Sequence, residues 1–190
     1  MAFTARSDQT RAAILDAARR RFGTDGYERA TIRAIAADAG IDPSMVMRYY
    51  GSKDGLFAAA SDIDLRLPDL SAVPPERAGE TIVRHFIERW EGDLADEVLI
   101  VLFRSAITNE AAAGRLREIF GAQVAGALAA GVDDPSELPA RAGLVSTQLL
   151  GVALCRYILR LPPVVAMDVD TLVASLSPTL QRYLTGPLPA

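Results

Sequence analysis

Apolar residues recur along this chain at intervals of three and four, and the two-residue alternation of a strand is nearly absent. Between Asp8 and Phe22 the residues Ile14, Ala18 and Phe22 stand four apart, Leu15 and Ala17 widen the stripe, and Arg11, Arg19 and Arg20 lie outside it. This predicts a first helix, closed by the glycines of GTDGY. Thr31 is placed to cap a short second helix whose buried stripe is Ile32, Ile35, Ala36 and Ala39, and Gly40 closes it. Asp42 and Pro43 then open a third helix, with proline at the first helical position, where its missing N–H costs nothing. Gly51 stops it. Ser52 opens a fourth, with Leu56 and Phe57 inside, expected to run to about 66 as a linking helix.

The proline-punctuated stretch LPDLSAVPPE interrupts the pattern, which resumes as expected helices over 76–91, 94–108, 110–130, 138–161 and 168–185. The expected fold class is therefore all-α, with about nine helices. Residues 1–51 form a small three-helix, helix-turn-helix head, and residues 52–190 a helical-bundle body whose first part, 52–66, joins the two. Helices as short as the second and third are marginal alone and must be held by packing on one another.

Charge sharpens this division. The net charge is −4, yet residues 1–55 carry nine Arg and Lys against seven Asp and Glu, so a basic module stands on an acidic body. Composition narrows the chemistry further. There is one His, His85, one Cys, Cys155, no Gly-rich phosphate loop and no Cys/His cluster at metal spacing. Catalysis would have to rest on carboxylates such as Glu88 and Glu91, which read as a solvated face, so the chain is not expected to be an enzyme, to bind a metal or to need a cofactor. The N-terminus lacks a signal-peptide core, and the longest uncharged run, Ala142 to Cys155, falls short of the roughly 18–20 residues that span a bilayer. A cytoplasmic protein without membrane partners is expected.

Two short helices joined by AGID make a helix-turn-helix, in which the second helix enters the major groove. At about 100° per residue, Val46 and Tyr50 share one side of the third helix. Arg48, Ser44 and Met45 share the other, with Met47 and Tyr49 on the flanks. Arg48 is suited to a bidentate pair with guanine, Ser44 to either kind of base, and Met45 or Met47 to a thymine methyl. The Tyr49 hydroxyl and the Lys53 ammonium suit phosphate oxygens, as do Thr31 and Arg33 at the start of the second helix. Two short helices with an exposed arginine also occur in many helical proteins, where Met47 and Tyr49 would be ordinary rim packing.

From Phe22 to Leu56 the chain resembles the N-terminal region of TetR-family transcriptional regulators, at Phe22, Gly26, Tyr27, Thr31, Ile32, Ile35, Ala36, Ala39, Gly40, Ile41, Tyr49, Tyr50, Ser52, Lys53 and Leu56. The resemblance implies a homodimer with a DNA-reading head and a ligand-binding body. It implies DNA contacts at Thr31, Arg33, Ser44, Met45, Met47, Arg48, Tyr49 and Lys53. Met45 stands where Thr or Ser is usual and Met47 where Tyr or His is usual, so those two either read apolar base surface or make no contact. A repressor is expected, bound to a near-palindromic operator and released by a small apolar effector. The alternative is a helical small-molecule-binding or scaffold protein that does not read DNA.

In the body, Phe86, Trp90, Leu99, Phe103, Phe120 and Val152 are candidates for an effector pocket, with His85, Arg104, Gln123 and Gln148 as polar handles. Each is equally readable as core or surface. Helix 138–161 is apolar nearly all round and so needs cover on two sides. Gly143, Gly151, Leu154 and Tyr157 on it, with Leu172, Leu176 and Leu180 on the last helix, are the expected dimer interface.

Overall fold

The computed structural model describes residues 2–92 and 97–188, with side chains from Ser7 onward and those of 97 and 98 excepted; the expected start of a helix at 94 lies outside the described residues. Among the described residues every regular element is helical. Two compact units emerge. The first comprises the chain up to Ile63 together with Glu97–Arg117, and the second comprises Asp64–Asp96 and Glu118–Ala190. The division thus falls after the fourth helix rather than before it, and it carries an additional stretch of chain into the N-terminal unit.

In the first unit α1 (Ala2–Arg29) is longer than its sequence suggested. It runs through Gly23, which Val101 of α6 (Glu97–Ala106) covers closely, its Cγ2 3.2 Å from where a Cβ would sit. The break comes instead at Gly26, whose φ of 74° and ψ of 169° only glycine adopts readily. α2 (Ile32–Ala39), α3 (Pro43–Tyr50) and α4 (Lys53–Ala60) follow. Ile14, Ala17, Ala18, Phe22, Ile35, Ala36, Val46, Leu56 and Phe57 are all buried, so the four helices share one core. Phe57 meets Phe22 and Tyr27 edge to face, with centroids 4.9 and 5.0 Å apart.

The expected linking helix to about 66 is not formed. α4 ends at Ala60, and residues 62–69 are extended with no regular structure.

In the second unit α5 (Ala78–Glu91) lies against α11 (Val169–Thr185). Gly79 permits this, since a Cβ there would stand 2.6 Å from the Ser177 carbonyl oxygen and 2.7 Å from the Gln181 nitrogen. The Gly79 N–H donates to Gln181 Oε1 at 2.9 Å, and Gln181 Nε2 donates to the Pro75 carbonyl at 2.8 Å. α7 (Glu110–Ile119) widens into a π-helical turn at Phe120–Val124 before α8 (Ala125–Leu128). α9 (Leu138–Ala153) does the same at Leu154–Ile158, and the short α10 (Pro162–Val165) leads to α11.

Residues 135–158 form one 24-residue helical stretch which, by length and composition alone, suffices to cross a membrane. Its inner face, with Ala142, Val145, Leu149 and Ala153, is core of the second unit. Arg141 near its start is buried and bonded to Glu137 and to the Tyr183 and Gly186 carbonyls.

Candidate nucleic-acid interface

The head is assembled by caps that the sequence supplies. Thr31 Oγ1 accepts from the Ala34 N–H at 3.1 Å, Asp42 Oδ1 from Ser44 at 2.8 Å, and Ser52 Oγ from Gly55 at 2.9 Å. Hydrogen bonds from Ser44 hold the Asp42 carboxyl below the usual carboxylate range. That cap is therefore intact at neutral pH and is lost as pH falls through the lowered value, below about 4. Gly40 closes α2 in the left-handed region at φ 66°, turning the chain into α3.

Val46 is fully buried, while Ser44, Met47 and Arg48 are exposed and Met45 is half-buried. Val46, Ser44 and Arg48 therefore fall where a period of 3.6 places them, whereas Met45, expected outward, is half-buried and Met47, expected on the flank, is the more exposed of the two methionines. Arg33 and Thr31 are exposed at the start of α2. The head's ion pairs are Arg19–Asp16, Arg21–Asp25 and Arg21–Asp38; among the described residues none takes up Arg33 or Arg48.

The other two candidates are oriented by α1. The Tyr49 hydroxyl lies 3.3 Å from Ser7 Oγ, and the Arg11 guanidinium stands over the Tyr49 ring, 5.1 Å from its centroid. The Tyr50 hydroxyl donates to the Arg11 carbonyl at 3.3 Å. Lys53 Nζ donates to the Glu28 carbonyl at 3.2 Å and sits 4.3 Å from the Tyr27 ring centroid. Burial and the Asp54 carboxylate push the Tyr27 phenol up to about 12, so it remains a neutral donor to Asp54. An ammonium has three donors, so Lys53 keeps capacity for a phosphate. Ser7 and Glu28 were not singled out from sequence, and Arg11 and Tyr27 were not read as parts of the site. The i, i+4 spacing of Ser7 and Arg11 on α1 was the available signal, but it shows a shared face without saying what lies against it.

α4 abuts the end of α3 at Gly55, where a Cβ would stand 2.2 Å from the Tyr50 carbonyl oxygen. We expect Gly55→Ala to force α4 off α3 and to destabilise the chain by about 1–3 kcal/mol, measurable by urea denaturation. Gly121→Ala, which meets nothing within 4 Å, is the control.

The body candidates are distributed differently from expectation. Phe103 belongs to the first unit and Phe86, Trp90, Phe120, Gln123, Gln148 and Val152 to the second. Trp90 is stacked on Tyr157 at 4.6 Å, Phe86 lies 6.0 Å from Trp90, and the Tyr157 hydroxyl donates to Glu91 Oε1. These aromatics pack on one another. An apolar cavity of the second unit has other walls: Leu67, Pro68, Leu70, Ile82, Val124, Ala127, Leu128, Val145 and Leu149. Its free volume is about 20 Å³.

Of the dimer candidates, Gly143 and Gly151 are exposed on α9, and Leu154, Tyr157 and Leu176 are half-buried. Leu172 and Leu180 are 3% and 0% exposed. Those two belong to the chain's own core, because they stand eight residues apart on the inner stripe of α11, which also carries Leu184, and they are withdrawn from any surface.

Two family models match this chain in succession. The model for bacterial regulatory proteins of the tetR family covers residues 14–60, and that for the tetracyclin repressor-like C-terminal domain covers 76–184. A TetR-family regulator from Streptomyces coelicolor is 32% identical, with a TM-score of 0.69 over 94% of this chain and 96% of that one. The multidrug binding protein EbrR is 23% identical, with a TM-score of 0.67 over 94% and 98%. The fatty acid degradation regulator FadR from Bacillus halodurans is 18% identical, with a TM-score of 0.65 over 93% and 99%. No curated protein sequence matches significantly. The chain belongs to the TetR family of bacterial transcriptional regulators, with the helix-turn-helix head of a DNA-binding regulator.

Proposed function

We propose that this regulator acts in the cytoplasm as a homodimer on a near-palindromic operator, represses by occupying it, and is released by a small apolar molecule. The observation that carries the DNA half is α3 itself, with Val46 fully buried and Ser44, Met47 and Arg48 exposed on the sides away from it. In this reading Arg48 pairs with a guanine, Ser44, Met45 and Met47 line the groove, and Thr31, Arg33, Tyr49 and Lys53 bind phosphates. Functionally, residues 1–51 are the head and 52–190 the linking and regulatory part.

Two features support a dimer. Only 28% of the apolar window in helix 135–158 is buried within one chain, and Gly143, Thr147 and Gly151 repeat at four-residue spacing on its exposed face. Beyond it, Leu159, Leu161, Val165, Met167 and Val169 are exposed in sequence proximity. Two heads would then contact half-sites about one DNA turn or a small multiple apart. The effector reading is supported by the wholly apolar cavity and by EbrR, a fold relative whose structure holds malachite green.

The test is a mobility-shift titration at several salt concentrations, on a site selected from a random DNA pool. Arg48→Ala is expected to weaken binding by about 1–3 kcal/mol and relax preference at one position of each half-site. Lys53→Ala is expected to weaken binding to all sequences and lower the salt slope by about one. Unchanged binding in both variants would show that α3 is not the reading face.

A further inference from the structure

Two tyrosines of the head each carry a cation on the face of the ring: Lys53 lies over Tyr27, and Arg11 over Tyr49 at 5.1 Å. The second pair brings α1 to the flank of α3. Ser7 and Arg11 stand one turn apart on α1, on the side that meets the end of α3. The Ser7 hydroxyl lies 3.3 Å from the Tyr49 hydroxyl, and the Tyr50 hydroxyl donates to the Arg11 carbonyl at 3.3 Å. Burial pushes the Tyr50 phenol up, so it stays a neutral donor. Arg11 is therefore fixed to α3 at its backbone as well as at its side chain. Other arginines of α1 are spent inside the molecule: Arg19 pairs with Asp16 and donates to the Ala60 carbonyl, and Arg21 pairs with Asp25 and Asp38. Arg11 is exposed, and among the described residues no carboxylate takes up its charge. An attraction through the face of a ring uses none of the N–H groups, so the five donors of the guanidinium stay open.

We infer that Arg11 is a further DNA-binding residue of the head, taking a backbone phosphate of the operator, and that the Tyr49 ring is the platform that positions it. The inference rests on the reading of α3 as the helix that enters the groove, and it extends the interface to α1. A groove-bound helix has a sugar–phosphate strand along each side. Tyr49 lies on the flank of α3, next to the exposed Arg48, and a cation carried on that flank meets phosphate before it meets a base edge. The planar fork of a guanidinium suits two oxygens of one phosphate.

The ring platform also reduces the cost of binding. A free arginine side chain loses rotamer freedom when it closes on a phosphate, whereas Arg11 has given up part of that freedom to Tyr49 beforehand. The Ser7 hydroxyl holds the ring itself, so the platform is set from α1 on both of its neighbouring turns. The contact carries charge and no base information. It contributes counterion release to every sequence alike, which separates the role of Arg11 from the guanine contact proposed for Arg48.

The test is a set of mobility-shift titrations of the full-length protein at several salt concentrations, on an operator selected from random DNA. Arg11→Met keeps the alkyl stem against Tyr49 and removes the charge. It is expected to bind about tenfold more weakly at about 0.1 M salt, to lower the salt slope by about one for each head bound, and to leave the ranking of operator variants unchanged. Arg11→Lys keeps a cation over the ring, so it should restore the slope and come within about threefold of wild type. Tyr49→Leu removes the platform, and on that background Arg11→Met is expected to cost no more than about threefold. Operators carrying single methylphosphonates, each of which neutralises one phosphate, locate the contact: one position per half-site should weaken the wild type and leave Arg11→Met unaffected. Urea curves check that the variants are folded, and Arg11→Gln replaces Arg11→Met if methionine costs stability. An unchanged salt slope in the folded neutral variant, with or without lost affinity, would mean that Arg11 only packs on Tyr49 and would overturn the inference. So would a methylphosphonate profile identical in the two proteins, or an altered base preference in Arg11→Met. An equal cost of Arg11→Met with and without the Tyr49 ring would overturn the platform. Failure of the wild type to bind any DNA would sink the operator reading and this inference together, whereas wild-type binding that Arg11→Met leaves intact overturns this inference alone.

Discussion

Phe57→Ala is expected to destabilise the first unit by about 3–5 kcal/mol and to abolish operator binding well below the temperature at which the second unit melts. Phe57 is 1% exposed and is the shared partner of Phe22 and Tyr27, which otherwise face each other only across 6.0 Å. Its ring joins α4 to α1 on either side of the break at Gly26. Removing it leaves a cavity that neighbouring aromatic rings are too stiff to fill. The Tyr27 ring also lies against the Lys53 ammonium, so the same truncation loosens a proposed phosphate contact. A unit of this size has little stability in reserve, and several kcal/mol is a large share of it. Trp90, the chain's single tryptophan, lies in the second unit and gives an internal comparison. In urea, the far-UV circular dichroism curve of the variant should move to lower denaturant while the Trp90 fluorescence curve stays in place. Coincident movement of both would mean that the units unfold as one. Phe57→Leu, which keeps most of the volume, should cost under about 1.5 kcal/mol.

The short helices of the head were legible because their ends are specified locally. Thr31, Asp42 and Ser52 are spaced from their helices as caps, and each accepts the N–H that a cap accepts. Where an end depends on tertiary packing, sequence was a poorer guide. Gly23 looked like a terminator, but Val101 comes from a hundred-odd positions into the chain to cover it, and packing outweighs a helix penalty of about 1 kcal/mol. The extended stretch after α4 carried its own signal: from Asp62 to Leu67 polar and apolar residues alternate strictly. That period of two was overridden by the helical spacing of Leu56 and Phe57 just before it, because a window of six residues is too short for either period to dominate. The π turns at 120–124 and 154–158 have no comparable local mark.

The same distinction separates the two halves of the candidate site. Which side of α3 faces in follows from its period and from Val46, and needs no knowledge of the rest of the chain. The cavity does not follow from anything local. Phe86 and Trp90 are the right residue types for a pocket, yet the structure spends them on a stack with Tyr157, while leucines and valines from four separate segments close the actual cavity. An apolar residue at helical spacing reads identically whether a neighbour or a void lies beyond it. Leu172 and Leu180 illustrate the same limit, since only the approach of α5 to α11 at Gly79 decides that they are core.

Arg141→Met should destabilise the second unit by about 3 kcal/mol, with the Trp90 curve now moving first. The guanidinium is 7% exposed and uses its fork in three directions at once. Nε and one terminal nitrogen donate to Glu137 Oε2 at 2.9 and 2.6 Å. The other terminal nitrogen donates to the Tyr183 carbonyl at 2.6 Å, and the shared one also reaches the Gly186 carbonyl at 2.9 Å. It thereby ties the first turn of α9 to the last turn of α11, satisfying helix-end carbonyls that have no partner within their own helix. Methionine fills much of the volume but leaves those part-buried carbonyls without their donor, which is the costly way to lose a hydrogen bond. Arg141→Lys distinguishes charge from geometry. An ammonium keeps the attraction to Glu137 but cannot span both carbonyls, so it should recover roughly half of the loss. Full recovery by lysine would mean that charge alone matters there, and no loss with methionine would mean that the α9–α11 junction is held by packing.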